Sequence, residues 1–255
     1  MLTEARDWWE KHAAQYQQQS QIPIDILYGP GAPNEDRLQL IGDVRGKSVL
    51  EIGCGTAQAA IAFTRRGACV TALDVAENSL KLARALASQH GVSIRFIQGD
   101  MADLSGVASG SQDVVFSACA MAYVDDLPAC FGEVHRVLAP GGLFVWSIGH
   151  PFQYAVDSKT LALHRSYFDT GRHAEGPGPG DIFAFVHRTV ADYFNAQIAA
   201  GLVVEQVVEP DSRLRYPEDP WYGLWGCSPE LLAGIPGTII FKCRKGQEQG
   251  AGRPT

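Results

Sequence analysis

Residues 48–58 read Ser-Val-Leu-Glu-Ile-Gly-Cys-Gly-Thr-Ala-Gln, and this string restricts the fold more than any other. The apolar run Val49, Leu50 and Ile52 predicts a short buried strand. It ends in Gly53-Cys54-Gly55, where a missing Cβ lets the backbone turn tightly and lets a ligand come close. A second apolar run, Ala68 to Leu73, ends in Asp74. A carboxylate there can accept hydrogen bonds from a ribose diol. Together the two strings point to a nucleoside-containing cofactor at the carboxyl ends of parallel strands.

The rest of the chain alternates in the way such a sheet requires. Helices are expected over Thr56–Arg66, with Gly67 as a stop, over Glu77–His90, ended by Gly91, and over Leu127–Leu138, with Asp126 near its start. Apolar runs at Ile94–Ile97 and Asp113–Ser117, and a run after Gly142, supply the intervening strands. Strands joined by helical crossovers imply a doubly wound α/β sheet. The alternation breaks at 151–181, where Gly176-Pro177-Gly178-Pro179-Gly180 is read as irregular. It resumes with a helix over Thr189–Ala200 and strands at Leu202–Glu209 and Thr238–Cys243. Residues 4–19 read as a helix carrying Trp8, Trp9, Ala13 and Tyr16, and Arg37–Ile41 as a short helix. The expected organisation is an N-terminal helical cap (1–45), a cofactor-binding core (46–150) and a lid insertion (151–186). The remainder of the sheet with an aromatic loop (187–245) and a flexible tail (246–255) follow.

Charge narrows the partners. The formal net charge is −7, and the only basic clusters, Arg65-Arg66 and Lys242–Lys245, fit a solvated helix end and a strand end. A nucleic acid substrate is disfavoured. No run approaches the ~20 apolar residues that a membrane span needs, and the N-terminus lacks a signal-peptide pattern. The six cysteines form no C-x-x-C pair and no His/Cys group has zinc spacing, so no metal is expected and the thiols are read as free in a reducing cytoplasm.

The glycine string, with its acid before and Asp74 after, resembles motif I and motif II of class I S-adenosylmethionine-dependent methyltransferases. Three further strings resemble that family in order and spacing: Gln98-Gly99-Asp100-Met101, Ser111-Gln112-Asp113-Val114-Val115-Phe116-Ser117, and Leu138-Ala139-Pro140-Gly141-Gly142-Leu143. The resemblance covers roughly residues 10–150 and is nearest to the small-molecule branch that includes ubiquinone- and menaquinone-type enzymes. It implies a Rossmann-like seven-stranded sheet with the last strand antiparallel and lid insertions after strands five and six. It implies S-adenosyl-L-methionine as cofactor. By resemblance the cofactor contacts fall on Tyr16, Glu51, Gly53, Cys54, Gly55, Asp74, Val75, Asp100, Met101 and Ala118. Glu51 lies near the methionine end, Asp74 on the ribose, Asp100 on the adenine amino group and Met101 on the ring. Ala76 departs from the pattern, since many relatives carry Ser there as a helix N-cap; its loss costs roughly 1 kcal/mol.

Methyl transfer from a sulfonium is mainly a matter of positioning and exclusion of water. A base is needed only for an acceptor that arrives protonated. His150 follows strand five and Tyr123 follows strand four, so either can face the acceptor. Each also reads as a structural residue, His150 as a loop residue bonded to backbone. His187 and Tyr193 are weaker candidates from the lid side. Trp221, Tyr222, Trp225, Phe152 and Phe168 offer flat surfaces for a small, partly apolar or aromatic acceptor, or pack the lid on the sheet. Two other functions compete. A nicotinamide-dependent oxidoreductase is disfavoured by Gln58 at the third glycine position and by the lack of a Tyr-x-x-x-Lys pair. A non-catalytic cofactor sensor is not separable by sequence.

Overall fold

Alternate residues along the central strands face opposite sides, and both sides are apolar. Val49, Val114, Phe116 and Val145 belong to one buried cluster; Leu50, Ile52, Val115, Phe144 and Trp146 belong to another. A sheet apolar on both faces must be covered on both. The computed structural model describes residues 3–178, 181–224 and 226–246, and it shows that arrangement. An N-terminal helix α1 (Thr3–Ser20) and a short α2 (Glu35–Leu38) precede β1 (Ser48–Ile52), α3 (Gln58–Arg65), β2 (Cys69–Asp74), α4 (Glu77–Gln89), β3 (Arg95–Gln98), β4 (Gln112–Ala118), α5 (Leu127–Val137) and β5 (Leu138–Gly149). A hairpin of β6 (Gly171–Gly178) and β7 (Asp181–His187) follows, then α6 (Val190–Ala199), β8 (Leu202–Val208), α7 (Pro229–Gly234) and β9 (Thr238–Lys245).

The main sheet has seven strands in the order β3-β2-β1-β4-β5-β9-β8. β1 pairs in parallel with β2 and β4, and β5 with β4; β9 runs antiparallel to both β5 and β8. The last strand is therefore the reversed one, slotted between β5 and β8. Chain order reverses direction between β1 and β4, and the carboxyl ends of those strands flank the crevice where open α/β sheets bind ligands.

The local signals explain most element ends. Asp126 accepts from the Ala129 N–H at the start of α5, and Thr189 with Asp192 forms a capping box on α6. Gly67 and Gly91 take positive φ just past α3 and α4. Ala76 makes no cap bond, as expected, but Glu10 of α1 accepts from the Asn78 N–H and supplies the missing oxygen from another helix.

Two local expectations are corrected. The short helix at 37–41 lies earlier, at Glu35–Leu38. The buried Glu35 carboxylate draws the N–H groups of Leu40, Ile41 and Gly42, and Gln39 turns left-handed (φ 51°) to let them reach it. Within the string at 176–180, Gly176 to Gly178 belong to β6, because antiparallel pairing of 171–175 with 183–187 carries the strand through them. Pro179 and Gly180 lie outside the described residues, as does the tail from 247 onward. In the Pro140-Gly141-Gly142 turn only Gly141 has positive φ; Gly142 is constrained sterically, since a Cβ there would sit 2.8 Å from the Ala139 carbonyl oxygen.

Candidate functional site

At Gly53 the turn after β1 is built so that nothing larger than glycine fits. Gly53 has φ +68°, and a Cβ on it would lie 2.5 Å from Cβ of Ala120, two residues past β4. Gly55 has φ +53°, with open space where its Cβ would be. The Cys54 N–H donates to the Leu73 carbonyl (3.0 Å), which fastens the turn to β2. Asp74, at the tip of β2, accepts from the Gly55 N–H (2.8 Å) and the Ala76 N–H (2.9 Å). Burial pushes its carboxyl up, against the pull of those N–H donors. Glu51 is 5% exposed and accepts from the Ala60 N–H of α3 (2.8 Å). Burial pushes it up to about 8, opposed by that hydrogen bond and reinforced by the charge of Asp74.

Gln58, which stands where a dinucleotide-binding loop has its third glycine, has a different task. Its side-chain nitrogen donates to Gln17 Oε1 of α1 (2.7 Å), and the Thr56 hydroxyl lies 3.0 Å from the same oxygen. This network ties α1 across the glycine turn. Tyr16, next to Gln17 on α1, accepts from the Trp221 indole N–H (2.7 Å), so the Trp221 loop is joined to the same helix. Burial raises Tyr16 to about 12, so its hydroxyl stays protonated.

α1, the β6–β7 hairpin and the Trp221 loop together roof a cavity of about 850 Å3 that begins at the glycine turn. This volume is in the upper part of the range that holds small organic ligands, about 300–1,000 Å3. Away from the turn its wall is aromatic. Trp9 meets Tyr16 edge-on at 5.1 Å and Tyr123 at 5.8 Å; Tyr123 meets Phe183 at 5.6 Å, and Phe183 meets Trp8 at 5.0 Å. Phe185 stacks on Tyr154 at 4.7 Å. Such edge-to-face contacts fix each ring by its neighbours.

Tyr16, Glu51, Gly53, Cys54, Gly55, Asp74, Val75, Met101, Ala118 and Tyr123 all line this cavity. Two expected site residues do not. Asp100 is absent from the wall although Gly99 and Met101 are part of it; its Oδ1 accepts from the Ala102 N–H (2.9 Å) and shapes the turn after β3. His150 is likewise no part of the wall. Its Nδ1 accepts from the Phe152 N–H (3.2 Å) and its Nε2 bonds Glu209 (2.8 Å), so both ring nitrogens hold the chain after β5. The expectation that it faces the acceptor is corrected on that ground. Burial lowers its pKa, against the pull of Glu209.

Of the weaker candidates, His187 bonds the Tyr167 carbonyl and Tyr193 packs under Trp146 in the core. Phe168 is 79% exposed, Tyr222 lies under Arg215, and Trp225 is outside the described residues; Trp221 does line the cavity. Trp8, His12, Tyr154, Phe183 and Phe185 were missed as wall residues. The signal for the last two was legible: 182–186 alternates, placing Phe183 and Phe185 on one strand face.

The residues suit an adenosyl cofactor with an amino-acid end. Asp74 has oxygen lone pairs beyond the two N–H groups it satisfies, the steric limit at Gly53 keeps the turn clear, and Glu51 is a buried carboxylate beside it. By sheet order, switch point and glycine turn, the chain is of the doubly wound class that binds nucleoside cofactors at the carboxyl edge. A family model described as "Methyltransferase domain" matches residues 50–146, from β1 to β5. From β1 to β5 the chain thus matches a methyltransferase domain, at the part of the sheet that carries the glycine turn and Asp74.

The chain is 34% identical over 113 residues to a malonyl-(acyl-carrier protein) O-methyltransferase from Pectobacterium atrosepticum, covering 44% of this chain and 43% of that protein. It is 28% identical over 143 residues to a ubiquinone biosynthesis O-methyltransferase from Azotobacter vinelandii, covering 56% and 58%. It thus spans about half the length of the curated relatives it matches. A solved S-adenosylmethionine-dependent methyltransferase from Mesorhizobium loti is 26% identical, with a TM-score of 0.63, covering 81% of this chain and 94% of that one. No helix among the described residues is long and apolar enough to cross a membrane.

Proposed function

We propose that the protein transfers the methyl group of S-adenosylmethionine to a small, largely apolar or aromatic organic acceptor. The observation that carries this reading is the continuity of one cavity, from the glycine turn and Asp74 at one end to a wall of aromatic rings at the other. When bound, S-adenosylmethionine supplies an electrophilic methyl carbon on a sulfonium. Asp74 is assigned to the ribose hydroxyls and Glu51 to the amino-acid end. Val75 and Met101 flank the base, and Gly53, Cys54, Gly55 and Ala118 form the floor. The rings of Trp9, Tyr16 and Tyr123 exclude water and orient the acceptor, so catalysis is chiefly positional. Residues 151–186 serve as a lid, together with α1. The relatives named for malonyl-(acyl-carrier protein) and for ubiquinone biosynthesis support a small-molecule acceptor rather than a nucleic acid. The six free cysteines suit a cytoplasmic location.

Calorimetric titration with S-adenosylmethionine, S-adenosylhomocysteine and the nicotinamide dinucleotides tests this. Binding of the two adenosyl sulfur compounds alone is expected. Binding of a dinucleotide alone would overturn the proposal.

A further inference from the structure

The wall of the cavity has a charge pattern that the transfer reaction does not require. Among the described residues that line it there is no lysine and no arginine, while five acidic side chains do: Asp25, Glu51, Asp74, Glu175 and Asp181. Glu51 and Asp74 belong to the cofactor end. Glu175 and Asp181 come from the β6–β7 hairpin, beside the aromatic rings. Each has a cationic partner, Arg165 at 3.3 Å for Glu175 and Lys11 at 3.0 Å for Asp181, but neither partner is part of the wall. A carboxylate or phosphate entering here meets no fixed counter-charge and like charges at the rim. A cation meets carboxylates and the negative faces of Trp8, Trp9, Tyr123 and Phe183, a setting in which ammonium groups are held within about 6 Å of ring centroids.

We infer that the acceptor end of this cavity selects a small amine, held as its ammonium between the aromatic rings and the hairpin carboxylates, over carboxylates and phosphates. The inference rests on the proposed function for the identity of the neighbouring cofactor end. His12 completes the subsite. Its Nε2 lies 2.6 Å from Asp181 Oδ1, and since a carboxylate only accepts, Nε2 is the donor. His12 belongs to the same wall and lies against Trp8, with ring centroids 4.5 Å apart, so the hairpin carboxylate is tied directly to the aromatic end of the cavity.

The test is binding, read by calorimetry on the full chain saturated with S-adenosylhomocysteine. Three probes share one ring: phenethylamine, phenylethanol and 3-phenylpropionate. The amine is expected to bind about tenfold tighter than the carboxylate and more tightly than the alcohol. Added salt should weaken the amine selectively, and Glu175→Gln combined with Asp181→Asn should abolish the preference while leaving S-adenosylhomocysteine affinity unchanged. Equal or tighter binding of the carboxylate, parity of alcohol and amine, or no amine binding at millimolar concentration would each overturn the inference. If the double variant does not fold, the salt titration on the unaltered chain decides alone. Failure of S-adenosylhomocysteine to bind removes the proposed function; its binding with no amine preference removes only this inference.

Discussion

The two ends of the cavity are made in different ways. The cofactor end is built from consecutive residues. Gly53, Cys54 and Gly55 turn the chain, Asp74 closes the next strand, and the N–H groups of Gly55 and Ala76 hold its carboxylate. The aromatic end is assembled from α1, the turn after β4, the β6–β7 hairpin and the Trp221 loop, which meet only in the folded molecule. A ligand shared by many proteins can be served by a short, fixed piece of backbone. A ligand particular to one protein is served by side chains from distant segments, which can change without disturbing the sheet.

Substitutions at the two ends should therefore differ in kind. The largest effect is expected at Gly53. An alanine there takes a positive φ and drives its Cβ to 2.5 Å from Ala120, so Gly53→Ala should lower S-adenosylhomocysteine affinity about 100-fold or more, measured by calorimetry. Affinity within a few-fold of the original would remove the turn from the site. Asp74→Ala comes next, with a loss of about 1–3 kcal/mol from unpaired hydroxyls and freed loop N–H groups. If the adenosyl group sits elsewhere, that variant binds normally.

Glu51 gives a smaller effect that depends on pH. Its ordinary value is 4.5 and its folded value about 8. Burial of its neutral form thus stabilises the ligand-free fold fully below the lower value, and this contribution is lost as pH rises through the upper one. A cofactor ammonium beside Glu51 favours its ionised form. Affinity should then rise with pH and level off above about 8, with proton uptake by buffer in calorimetry; Glu51→Gln should flatten both the affinity profile and the fall in melting temperature. A pH-independent affinity in the unaltered chain would separate Glu51 from the cofactor. The smallest effect on turnover is expected at His150. His150→Ala should lower stability by about 1 kcal/mol through its lost hydrogen bonds and leave kcat unchanged. A lowered kcat at full stability would return it to the reaction.

The contrast also explains what could be read from the sequence. Strand and helix positions of the core followed from apolar runs and stop signals, because each is a local property; β1, β2, α4 and α6 lie within a residue or two of where the pattern puts them. At the site, Glu51, Gly53 and Asp74 were legible for the same reason. Asp100 does not line the cavity, although Gly99 and Met101 do, and its Oδ1 accepts from the Ala102 N–H, a local turn bond that the string Gln98-Gly99-Asp100-Met101 does not record. His150 was misread because its fate is set by Glu209 on the chain after β8, a partner no spacing reveals. The strand through Gly176 was hidden by glycine and proline, whose local preference was outweighed by pairing of the flanking residues with β7. The cap lost at Ala76 was replaced by Glu10 from a distant helix, which compensates in a way the local string does not record.

The central claim is that the crevice over the glycine turn receives an adenosyl group with its sulfur toward the aromatic rings. A crystal structure of the chain with S-adenosylhomocysteine tests it most directly. The account predicts ribose hydroxyls in hydrogen-bond contact with the Asp74 carboxylate and the sulfur facing Tyr123. Density for the adenosyl group elsewhere, or its ribose turned away from Asp74, would contradict it.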